Sequence, residues 1–479
     1  MKFKNCIVVG AGNAGRPVAK LLNHQGINVT ITDSKKYEEF TPRRQKLLDV
    51  LKKEGINFEL GVKTPDISQY ESIYLAPTIP EDAEIRIQAE KQNKIIINRT
   101  IISQIIDSIL TMDKIGITGS FGKTTTTAMI TKVFTDAGYK VYQCSSMKQN
   151  LVSEAMVNDI INGEYKDSDI AILELPHGTL GLIGEINLDI GVIVNLIPEH
   201  LCEFGGSMQK YVDRKSIVLE TSKELIANIQ CADILTHKRQ DTIYYQMINS
   251  FTEENSKDYQ PSFTGSIHDG TYHIEVNKDN NILETDIQLQ TVANYNFENL
   301  TAAIATAMTY GIPLEEIKKS LSSFKTVGGR MEYLGQFNGI DAYYDASYGP
   351  SIRQALEAIK DENLIIVFGS VDSTTLRDKA ESGRIVGDYA DIVIATGYVE
   401  ITDSLDMNRA FELLDAIENE DITKLAVCDV DEAAQLAIKH AKPGDIIVHL
   451  GAGASNSYQQ VKDKLLKGLN QGSKIYDRN

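Results

Sequence analysis

The stretch Gly116–Thr124, which reads GITGSFGKT, has the residue types and spacing of a phosphate-binding loop between a strand and a helix. Its glycines let backbone N–H groups face phosphate oxygens, while Lys123 supplies a mobile cation and Thr124 a hydroxyl for magnesium. Relative to the GxxxxGK[ST] pattern, Ile117 occupies the position of the first glycine. We therefore predict a nucleoside triphosphate site. Its candidate residues are Gly119, Gly122, Lys123, Thr124 and Thr125.

A different glycine-rich turn, GAGNAG at 10–15, follows the apolar run CIVVG and opens a helical pattern. The next predicted strand ends at Asp33, so the turn has the context of a dinucleotide-binding fingerprint. The pattern alone fits a dehydrogenase, a domain for another diphosphate ligand, or a domain of this shape without a ligand. The candidate substrate-binding residues are Gly10, Gly12, Asn13, Ala14, Gly15 and Asp33.

The two turns together restrict the function further than either does alone. A dehydrogenase has no use for a triphosphate loop, and a simple switch GTPase has none for the first turn. The N-K-x-D element of guanine-binding proteins is missing, because the nearest stretch, NKDN at 277–280, does not fit the pattern. The sequence therefore predicts two phosphate-binding turns in two separate domains, which neither of these classes explains.

Composition excludes several partners. The chain has 479 residues, of which 42% are hydrophobic, and its formal net charge of −18 argues against a dedicated surface for nucleic acid or anionic membranes. Its five cysteines show no CxxC or CxxH spacing, so we predict neither a zinc site nor a disulfide framework. The apolar run before Gly10 is too brief for a signal peptide or a membrane span. We expect a cytoplasmic monomer without membrane insertion.

Short apolar runs alternate with helical stretches in three series, which predicts an α/β fold of three domains. We expect a Rossmann-like, substrate-binding domain over 1–108, a P-loop ATPase-type domain over 109–328 and a Rossmann-like domain over 329–479. Between 242 and 286, the runs TIYYQMI, GTYHIEV and TDIQLQTV alternate apolar and polar residues and predict an antiparallel excursion from the central domain. The pattern assigns no role to that segment.

Nearly the whole chain resembles the Mur ligase superfamily, the ATP-dependent amide ligases that extend peptides on UDP-linked cell-wall precursors, with folylpolyglutamate synthetases as relatives. TGSFGKTT matches the loop of that family, T-G-[ST]-x-G-K-[ST]-[ST], and accounts for the irregular first glycine. The resemblance implies that Lys123 and Thr124 bind ATP phosphates and magnesium. It also implies that the first domain binds a UDP-linked acceptor and the third a free amino acid.

The resemblance assigns further residues to catalysis and to magnesium. Glu174, in ILEL, matches a glutamate that holds magnesium at the end of a core strand. His200 and Lys215 keep the interval between a family histidine and a lysine that carbon dioxide carbamylates in many members. A carbamylated Lys215 would replace a cation with a carboxylate-like magnesium ligand. The implied catalytic residues are Lys123, Glu174, His200 and Lys215, and the implied metal ligands are Thr124, Glu174, His200 and Lys215.

Four more ATP contacts follow from the same resemblance. NYNFENLTAAIATA is similar to H-N-x-x-N-x-x-A-A, which places Asn296 and Asn299 near the adenine. Arg330, in GGRMEYL, matches an interdomain arginine that reaches ATP phosphate. Asp345, in YYDASYGPS, matches an aspartate that begins the ATP contact of the third domain.

The chain departs from bacterial members where the incoming amino acid binds. Ser347 and Tyr348 stand where glutamate-adding enzymes carry lysine and alanine in D-S-K-A-T-N, and ATGYVE replaces T-D-[DN]-N-P-R of diaminopimelate- and lysine-adding members. VFGSVDSTTLRDK is similar to the VFG-x-G-G-D-R-D-K run of those members, whereas the closing VHLGAGASNSYQQVKD differs from theirs. The departures favour a divergent branch such as the archaeal pseudomurein peptide ligases.

The function implied is amide formation between an amino acid and a carboxylate of a UDP-linked peptidoglycan or pseudomurein precursor. ATP would first convert that carboxylate into an acyl phosphate. Two alternatives stay open: a ligase of this superfamily acting on a folate or tetrapyrrole carboxylate, and, from another class, a nucleotide-binding oxidoreductase or regulatory ATPase. The sequence names neither the amino acid nor the acceptor, and leaves α- or side-chain amide, bacterial or archaeal pathway and oligomeric state open.

Overall fold

Three β-sheets organise the computed structural model, one for each α/β series of the sequence. This arrangement confirms the predicted α/β fold class with three domains, while the boundaries at 108 and 328 stay a prediction. The structure describes residues 3–149, 151–235, 239–248, 259–268, 271–278, 281–289, 295–360, 363–369, 376–400, 403–451 and 457–476. Parts of six sequence runs quoted above lie outside these residues, at 270, 279–280, 290–292, 294, 370–375 and 452–456.

The first domain contains a parallel sheet of five strands in the order β3-β2-β1-β4-β5. This is a Rossmann-type order, with its switch point between β1 and β4. Helix α2 starts where the Thr41 side chain accepts from the Arg44 N–H and Pro42 takes the first helical position. The elements are β1 Asn5–Val9, α1 Gly15–His24, β2 Asn28–Asp33, α2 Pro42–Lys53, β3 Asn57–Leu60, β4 Ser72–Leu75, α3 Glu84–Lys91, β5 Ile95–Ile97 and α4 Arg99–Ile109.

The central domain is built on a nine-stranded sheet in the order β14-β13-β12-β11-β10-β9-β6-β8-β7. Strand β6 lies between β8 and β9 and is buried on both faces except at its first residue, as expected for a parallel core strand. The elements are β6 Asp113–Thr118, α5 Lys123–Asp136, β7 Val141–Cys144, α6 Val152–Asn162, β8 Ile170–Glu174, α7 His177–Ile183, β9 Leu188–Ile193, α8 Met208–Lys215, α9 Ile217–Thr221, β10 Ser222–Asn228, β11 Ile243–Ile248, β12 Phe263–His268, β13 Thr271–Lys278, β14 Asn281–Ile287, α10 Tyr295–Tyr310 and α11 Leu314–Leu321.

The segment 242–286 differs in part from the predicted antiparallel excursion. Strand β11 pairs parallel with β10, and β12 pairs parallel with β11. Only the pairs β12–β13 and β13–β14 are antiparallel. An alternating pattern indicates which face of a strand is buried, but it carries no information on the direction of the neighbouring strand.

The third domain has a six-stranded sheet in the order β15-β16-β22-β17-β18-β21, in which only β15 and β16 pair antiparallel. Its elements are β15 Glu332–Phe337, β16 Ile340–Asp345, α12 Ile352–Glu357, β17 Leu364–Phe368, α13 Leu376–Tyr389, β18 Ile392–Thr396, β19 Tyr398–Val399, β20 Ser404–Leu405, α14 Met407–Asp415, β21 Thr423–Val427, α15 Val430–His440, β22 Ile446–Leu450 and α16 Tyr458–Tyr476.

The first and central domains share an apolar core, whereas the third domain has its own. One cluster runs continuously from the sheet of the first domain into the helices that cover the central sheet. The two clusters of the third domain, one on each face of its sheet, contain only residues of that domain. Among the described residues, no apolar cluster therefore spans the central and third domains. Across the described chain, no helix combines the length and hydrophobicity that crossing a bilayer requires.

Candidate active site

The phosphate-binding loop connects β6 to α5 at the carboxyl edge of the central sheet, where ligands of open α/β folds bind. Gly122 caps α5 with a φ of +80°, and a Cβ there would lie 2.2 Å from the Asn299 Oδ1 atom. Only glycine fits this turn, because the left-handed backbone and the close amide both exclude a side chain. The first turn of α5 thus points its unpaired N–H groups outward, as an anion site requires.

Asn195, just after β9, supports the phosphate loop through side-chain hydrogen bonds. Its side-chain oxygen accepts from the N–H groups of Ser120 and Phe121, at 3.0 Å each, and its Nδ2 donates to the Phe121 carbonyl at 3.3 Å. Two loop N–H groups therefore serve the protein rather than a phosphate. Lys123 bends back and donates from Nζ to the Ser120 carbonyl oxygen at 2.6 Å. Sequence analysis missed Asn195; its place at the end of a core strand was the available signal.

Glu174 ends β8 beside the loop and is almost wholly buried. Its carboxylate accepts from the Thr124 hydroxyl at 3.2 Å and from the Ser146 N–H at 2.9 Å, and the Ser146 hydroxyl lies within 3.2 Å. Two hydroxyls and a carboxylate are the hard oxygen donors that magnesium prefers. Thr124 and Glu174 thus fit the predicted ion, with Ser146 as a member that the sequence did not indicate.

Lys215 ends α8 and is 1% exposed. Its Nζ donates to the Gly119 carbonyl oxygen at 2.6 Å and lies 5.0 Å from the ring centre of Tyr211. Burial, reinforced by the positive charge of Lys123, lowers the pKa of Lys215 well below its ordinary value, although Glu199 and Glu174 oppose the shift. The environment thus favours a neutral amine.

His200 adopts a left-handed backbone with a φ of +51°, and its ring lies near that of His177, tilted by 41° with 4.7 Å between ring centres. Its ring nitrogens lie 3.9 Å from a Glu199 oxygen and 3.8 Å from a Glu203 oxygen. Burial lowers the pKa of His200, with Glu199 opposing, so the ring is mainly neutral at pH 7. His177 pairs with Glu203 at 3.0 Å. Sequence analysis missed His177 and Glu199, which flank the predicted residues.

Thr124, Glu174, His200 and Lys215, the four predicted metal ligands, all line one cavity of about 410 Å³, here called the loop cavity. They do not form a closed cage: in the part of the chain that the structure describes, no three His, Cys, Asp or Glu side chains are grouped to hold a metal. An ion bound at Thr124 and Glu174 would keep water and phosphate ligands, which magnesium usually does.

The third domain supplies the far wall of the loop cavity, which includes Arg330 and Asp345. The Arg330 guanidinium donates to the Gly329 carbonyl at 2.9 Å, and the Asp345 carboxylate accepts from the N–H groups of Met331 and Ser347 at 2.8 and 2.7 Å. Ser351 reaches Glu199 of the central domain at 3.4 Å. The structure therefore brings the loop and the third-domain residues to one cavity.

Asn296 and Asn299 lie on α10 behind the phosphate loop and are buried. Asn299 accepts from the Thr126 hydroxyl at 3.3 Å and donates to the Asn296 side-chain oxygen at 3.3 Å. Neither asparagine is among the residues that line the loop cavity. In this arrangement Asn299 supports α5 and Gly122, and the adenine contact stays a prediction.

The glycine-rich turn of the first domain faces a second, larger cavity of about 1310 Å³, here called the interdomain cleft. Of the predicted substrate-binding residues, Asn13 and Ala14 line it. Asp33 instead accepts from the N–H groups of Ala11 at 2.9 Å and Lys35 at 3.0 Å, which fixes the turn. Gly10 and Gly15 allow the turn to close, since a Cβ on Gly15 would lie 1.9 Å from the Gly10 oxygen.

The glycine-rich turn is also tied to the central domain. Arg16, in the first turn of α1, forms a buried ion pair with Glu154 of α6 at 3.2 Å. Lys20 donates to the Asn158 side chain at 2.8 Å. Together with the shared apolar core, these contacts fix the position of the interdomain cleft relative to the phosphate loop.

Comparison with known proteins identifies two family domains. Residues 117–307 match the model of the Mur ligase middle domain, and residues 329–453 match the model described as the Mur ligase glutamate ligase domain. The UDP-N-acetylmuramoylalanine–D-glutamate ligase of Streptococcus sanguinis is 27% identical, over 94% of this chain and 93% of that protein.

Solved structures have the same fold. A pseudomurein peptide ligase type C from Methanothermus fervidus, 22% identical, superposes with a TM-score of 0.58 and covers 96% of this chain and all of that one. The MurF ligase of Thermotoga maritima in complex with ADP is 17% identical, has a TM-score of 0.60 and covers 94% of this chain and 97% of that one.

Proposed function

The chain belongs to the Mur ligase superfamily of ATP-dependent amide ligases, and we propose that it joins an amino acid to a carboxylate of a UDP-linked peptidoglycan or pseudomurein precursor. Its departures from bacterial patterns favour a pseudomurein-type acceptor. We further propose that it acts in the cytoplasm, since all five cysteines are free thiols, as in proteins of reducing compartments.

The observation that carries this proposal is that the two cavities meet. Pro176, His177 and Glu203 line both the loop cavity and the interdomain cleft. An acceptor in the cleft could therefore extend its reacting carboxylate past His177 to the γ-phosphate of ATP on the phosphate loop. A nucleotide hydrolase without an acceptor has no need of that passage.

Phosphoryl transfer would be the first step. The first turn of α5 and the Lys123 ammonium would hold the β- and γ-phosphates. Thr124 and Glu174 would bind magnesium, which neutralises charge on the transferred phosphoryl group. The acceptor carboxylate attacks the γ-phosphorus and the bond to ADP breaks, which gives an acyl phosphate. Lys123 and Arg330 supply the positive charge that an acidic protein otherwise lacks at this position.

Amide formation would be the second step. The amine of the incoming amino acid, presented by the third domain, attacks the acyl carbonyl carbon, and the tetrahedral intermediate expels inorganic phosphate. The third domain would stay closed over the loop cavity until phosphate leaves. The separate apolar cores of that domain suit a domain that opens between turnovers.

Lys215 has a proposed role as a carbamate. Its amine is buried, lines the loop cavity and, among the described residues, has a backbone carbonyl as its one hydrogen-bond acceptor. A neutral amine can attack carbon dioxide with release of one proton to solvent, and the resulting carbamate would add an anionic oxygen ligand to the loop cavity that Glu174 also lines. The positive charge of Lys123, which disfavours a protonated Lys215, would stabilise the carbamate.

The experiment that tests the function is phosphate release from ATP and magnesium, with UDP-linked acceptors screened against single amino acids. Release that requires both an acceptor and one amino acid supports the ligase and identifies the amino acid. Release that ignores both would favour a regulatory ATPase. Release that requires a folate or tetrapyrrole carboxylate instead would move the protein to the alternative acceptor class.

A matched variant tests the magnesium site. Glu174→Gln keeps the size of the side chain and removes the charge, so we expect the magnesium concentration for half-maximal activity to rise about tenfold or more. Glu164→Gln, at an exposed glutamate of the same domain, is the control. Equal magnesium dependence in both variants would remove Glu174 from the proposed site.

A further inference from the structure

Arg214, on α8 in the wall of the interdomain cleft, is a partly buried guanidinium without a carboxylate partner. Its one hydrogen bond goes from Nη1 to the His177 carbonyl oxygen and is long, at 3.5 Å. Within the described residues, no Asp or Glu oxygen lies within 4.0 Å of it. In a chain with 66 acidic residues, a guanidinium left without one of them is unusual.

The surroundings of Arg214 form a cradle. A Cβ on Gly181 would lie 2.3 Å from the Arg214 Nη1 atom, so glycine at this place on α7 makes room for the guanidinium. The guanidinium carbon lies 5.9 Å from the ring centre of Phe204, which also lines the cleft. A side chain packed on these two sides keeps its position whether or not a ligand is bound.

The local charge explains why an anion would bind there. Burial and the positive charge of Arg99 lower the pKa of Arg214. Arg99 is itself neutralised by Glu185, 2.8 Å away, which leaves Arg214 as the charge without a counterion. Burying a charge without a partner costs stability, and a bound anion removes that cost.

Nearby acids do not satisfy Arg214. Three line the cleft: Glu203, Asp213 and Glu81. Glu203 pairs with His177, and Asp213 is exposed and accepts from Gln209. Glu81 is exposed on the first domain. Lys210, one turn earlier on α8, adds a second cation to the same wall.

We propose that Arg214 is the anion-binding residue of the interdomain cleft and that it holds a phosphate or carboxylate group of the acceptor other than the carboxylate that reacts. A planar guanidinium binds either group through two parallel hydrogen bonds. Because Arg214 is hydrogen-bonded to the backbone of His177, which lines both cavities, an anion on Arg214 would fix how far the acceptor reaches toward the phosphate loop. The identity of the ligand as an acceptor rests on the proposed function.

Calorimetric titration of the full chain tests this proposal with three probes: UDP, UDP-N-acetylmuramoylalanine with one carboxylate, and that molecule extended by D-glutamate, with two. Each probe is titrated into the wild-type protein and into Arg214→Gln, Arg214→Lys and Lys223→Gln. Lys223 is the control, because it is 76% exposed, pairs with Asp189 and lines neither the loop cavity nor the interdomain cleft, so its substitution removes the same charge elsewhere. Thermal unfolding of each variant checks that it folds.

If Arg214 holds the diphosphate, Arg214→Gln weakens binding of all three probes by about 10- to 100-fold, the range for a lost hydrogen bond to a charged group. If it holds the second carboxylate, only the probe with two carboxylates loses that much. Arg214→Lys keeps the charge without the planar fork and should recover part of the loss in either case. The dissociation constants of Lys223→Gln should match the wild type.

Three results would overturn the proposal. The first is that Arg214→Gln binds every probe within about threefold of the wild type. The second is a loss of affinity that is confined to the two probes with a carboxylate and is equal for both. The third is that the wild type binds no probe at millimolar concentration. The second of these would assign Arg214 to the reacting carboxylate. If UDP binding depends on Arg214 but phosphate release does not depend on an acceptor, the anion site is supported and the proposed function is rejected.

A tryptophan reporter tests whether the ligand binds next to Arg214. The chain has no tryptophan, so Phe204→Trp introduces a single indole next to Arg214. Its emission should change on titration with the probe that depends on Arg214, and the change should disappear when Arg214→Gln is added. An unchanged emission during binding would place the ligand elsewhere.

Discussion

The Nζ of Lys215 lies 2.6 Å from the carbonyl oxygen of Gly119, so a buried lysine is hydrogen-bonded directly to the phosphate loop. The 96 residues that separate them in sequence are brought together by the end of α8 packing against the loop. The contact keeps the amine at the loop cavity but leaves it unpaired with any carboxylate within the described residues. This position gives the carbamate proposal a direct test.

Lys215→Ala should lower kcat by about 100-fold or more, because it removes an anionic magnesium ligand from the transition state. Short carboxylates such as formate and acetate should restore part of the activity by occupying the vacated space. Lys132→Ala, at a partly exposed lysine that pairs with Asp136, should show neither effect. Absence of rescue, together with activity that does not respond to removal of carbon dioxide, would contradict the carbamate.

Asn195→Ala should raise the KM for ATP about tenfold or more and lower the free energy of unfolding by about 1–3 kcal/mol, because two loop N–H groups lose their acceptor. Asn195→Asp keeps the acceptor oxygen, so its loss of unfolding free energy should be smaller, while its added negative charge beside the phosphate loop should still raise the KM for ATP. Steady-state kinetics with ATP as the varied substrate compare the two. Equal KM values for Asn195→Ala and the wild type would show that the loop holds its shape without this side chain.

Gly122→Ala should abolish measurable ATP binding. The substitution places a methyl group against the Asn299 side chain and also imposes a left-handed φ on alanine, which costs about 1–2 kcal/mol by itself. Gly26→Ala is the matched control, since Gly26 has a φ of +78° and no heavy atom within 4 Å of the added carbon. Titration with ADP separates the two: similar loss in both variants would mean that backbone strain destabilises the protein in general, and that the contact with Asn299 does not explain the loss.

His449 lies on β22, between β16 and β17 in the sheet of the third domain. Its burial predicts that the stability of the protein depends on pH. The ring is buried, stacks on Tyr344 with 4.8 Å between centres, and within the described chain neither ring nitrogen has a hydrogen-bond partner. Burial lowers the pKa of His449 to about 3. Between about pH 6.5 and pH 3 the unfolded state therefore binds a proton that the folded state does not. Above about pH 6.5 this group does not reduce the stability of the fold. As the pH falls through that window, the free energy of unfolding decreases by about 1.4 kcal/mol per pH unit.

His449→Phe keeps the stacked ring and removes both orphaned nitrogens. We expect it to raise the free energy of unfolding at pH 7.5 by about 1–3 kcal/mol and to flatten the acid side of the stability profile. Thermal unfolding of the full chain at pH 7.5 and pH 5 measures both effects. His440→Gln, at an exposed histidine of α15, should leave the profile unchanged. A His449→Phe protein that loses stability on acidification as steeply as the wild type would disprove the assignment.

The sequence determined the local chemistry. The loop at Gly119–Thr125 requires glycine, lysine and threonine in a fixed order, and short apolar runs alternating with helical stretches suffice to predict three α/β domains. These features depend on neighbours a few residues apart, so the order of residue types in the chain defines them. Glu174 and Lys215 were predicted only through resemblance to a family, since neither has a local pattern.

Tertiary structure decided which groups share a cavity. Asn195, Ser146, His177 and Glu199 reach the phosphate loop from strand ends and turns distant in sequence, and Arg214 owes its lack of a partner to the way α7 and α8 pack. The parallel pairing of β11 and β12 was decided in the same way, because periodicity indicates the buried face of a strand and not its partner. Distances between side chains depend on how the sheets stack, and no local pattern in a single sequence encodes them.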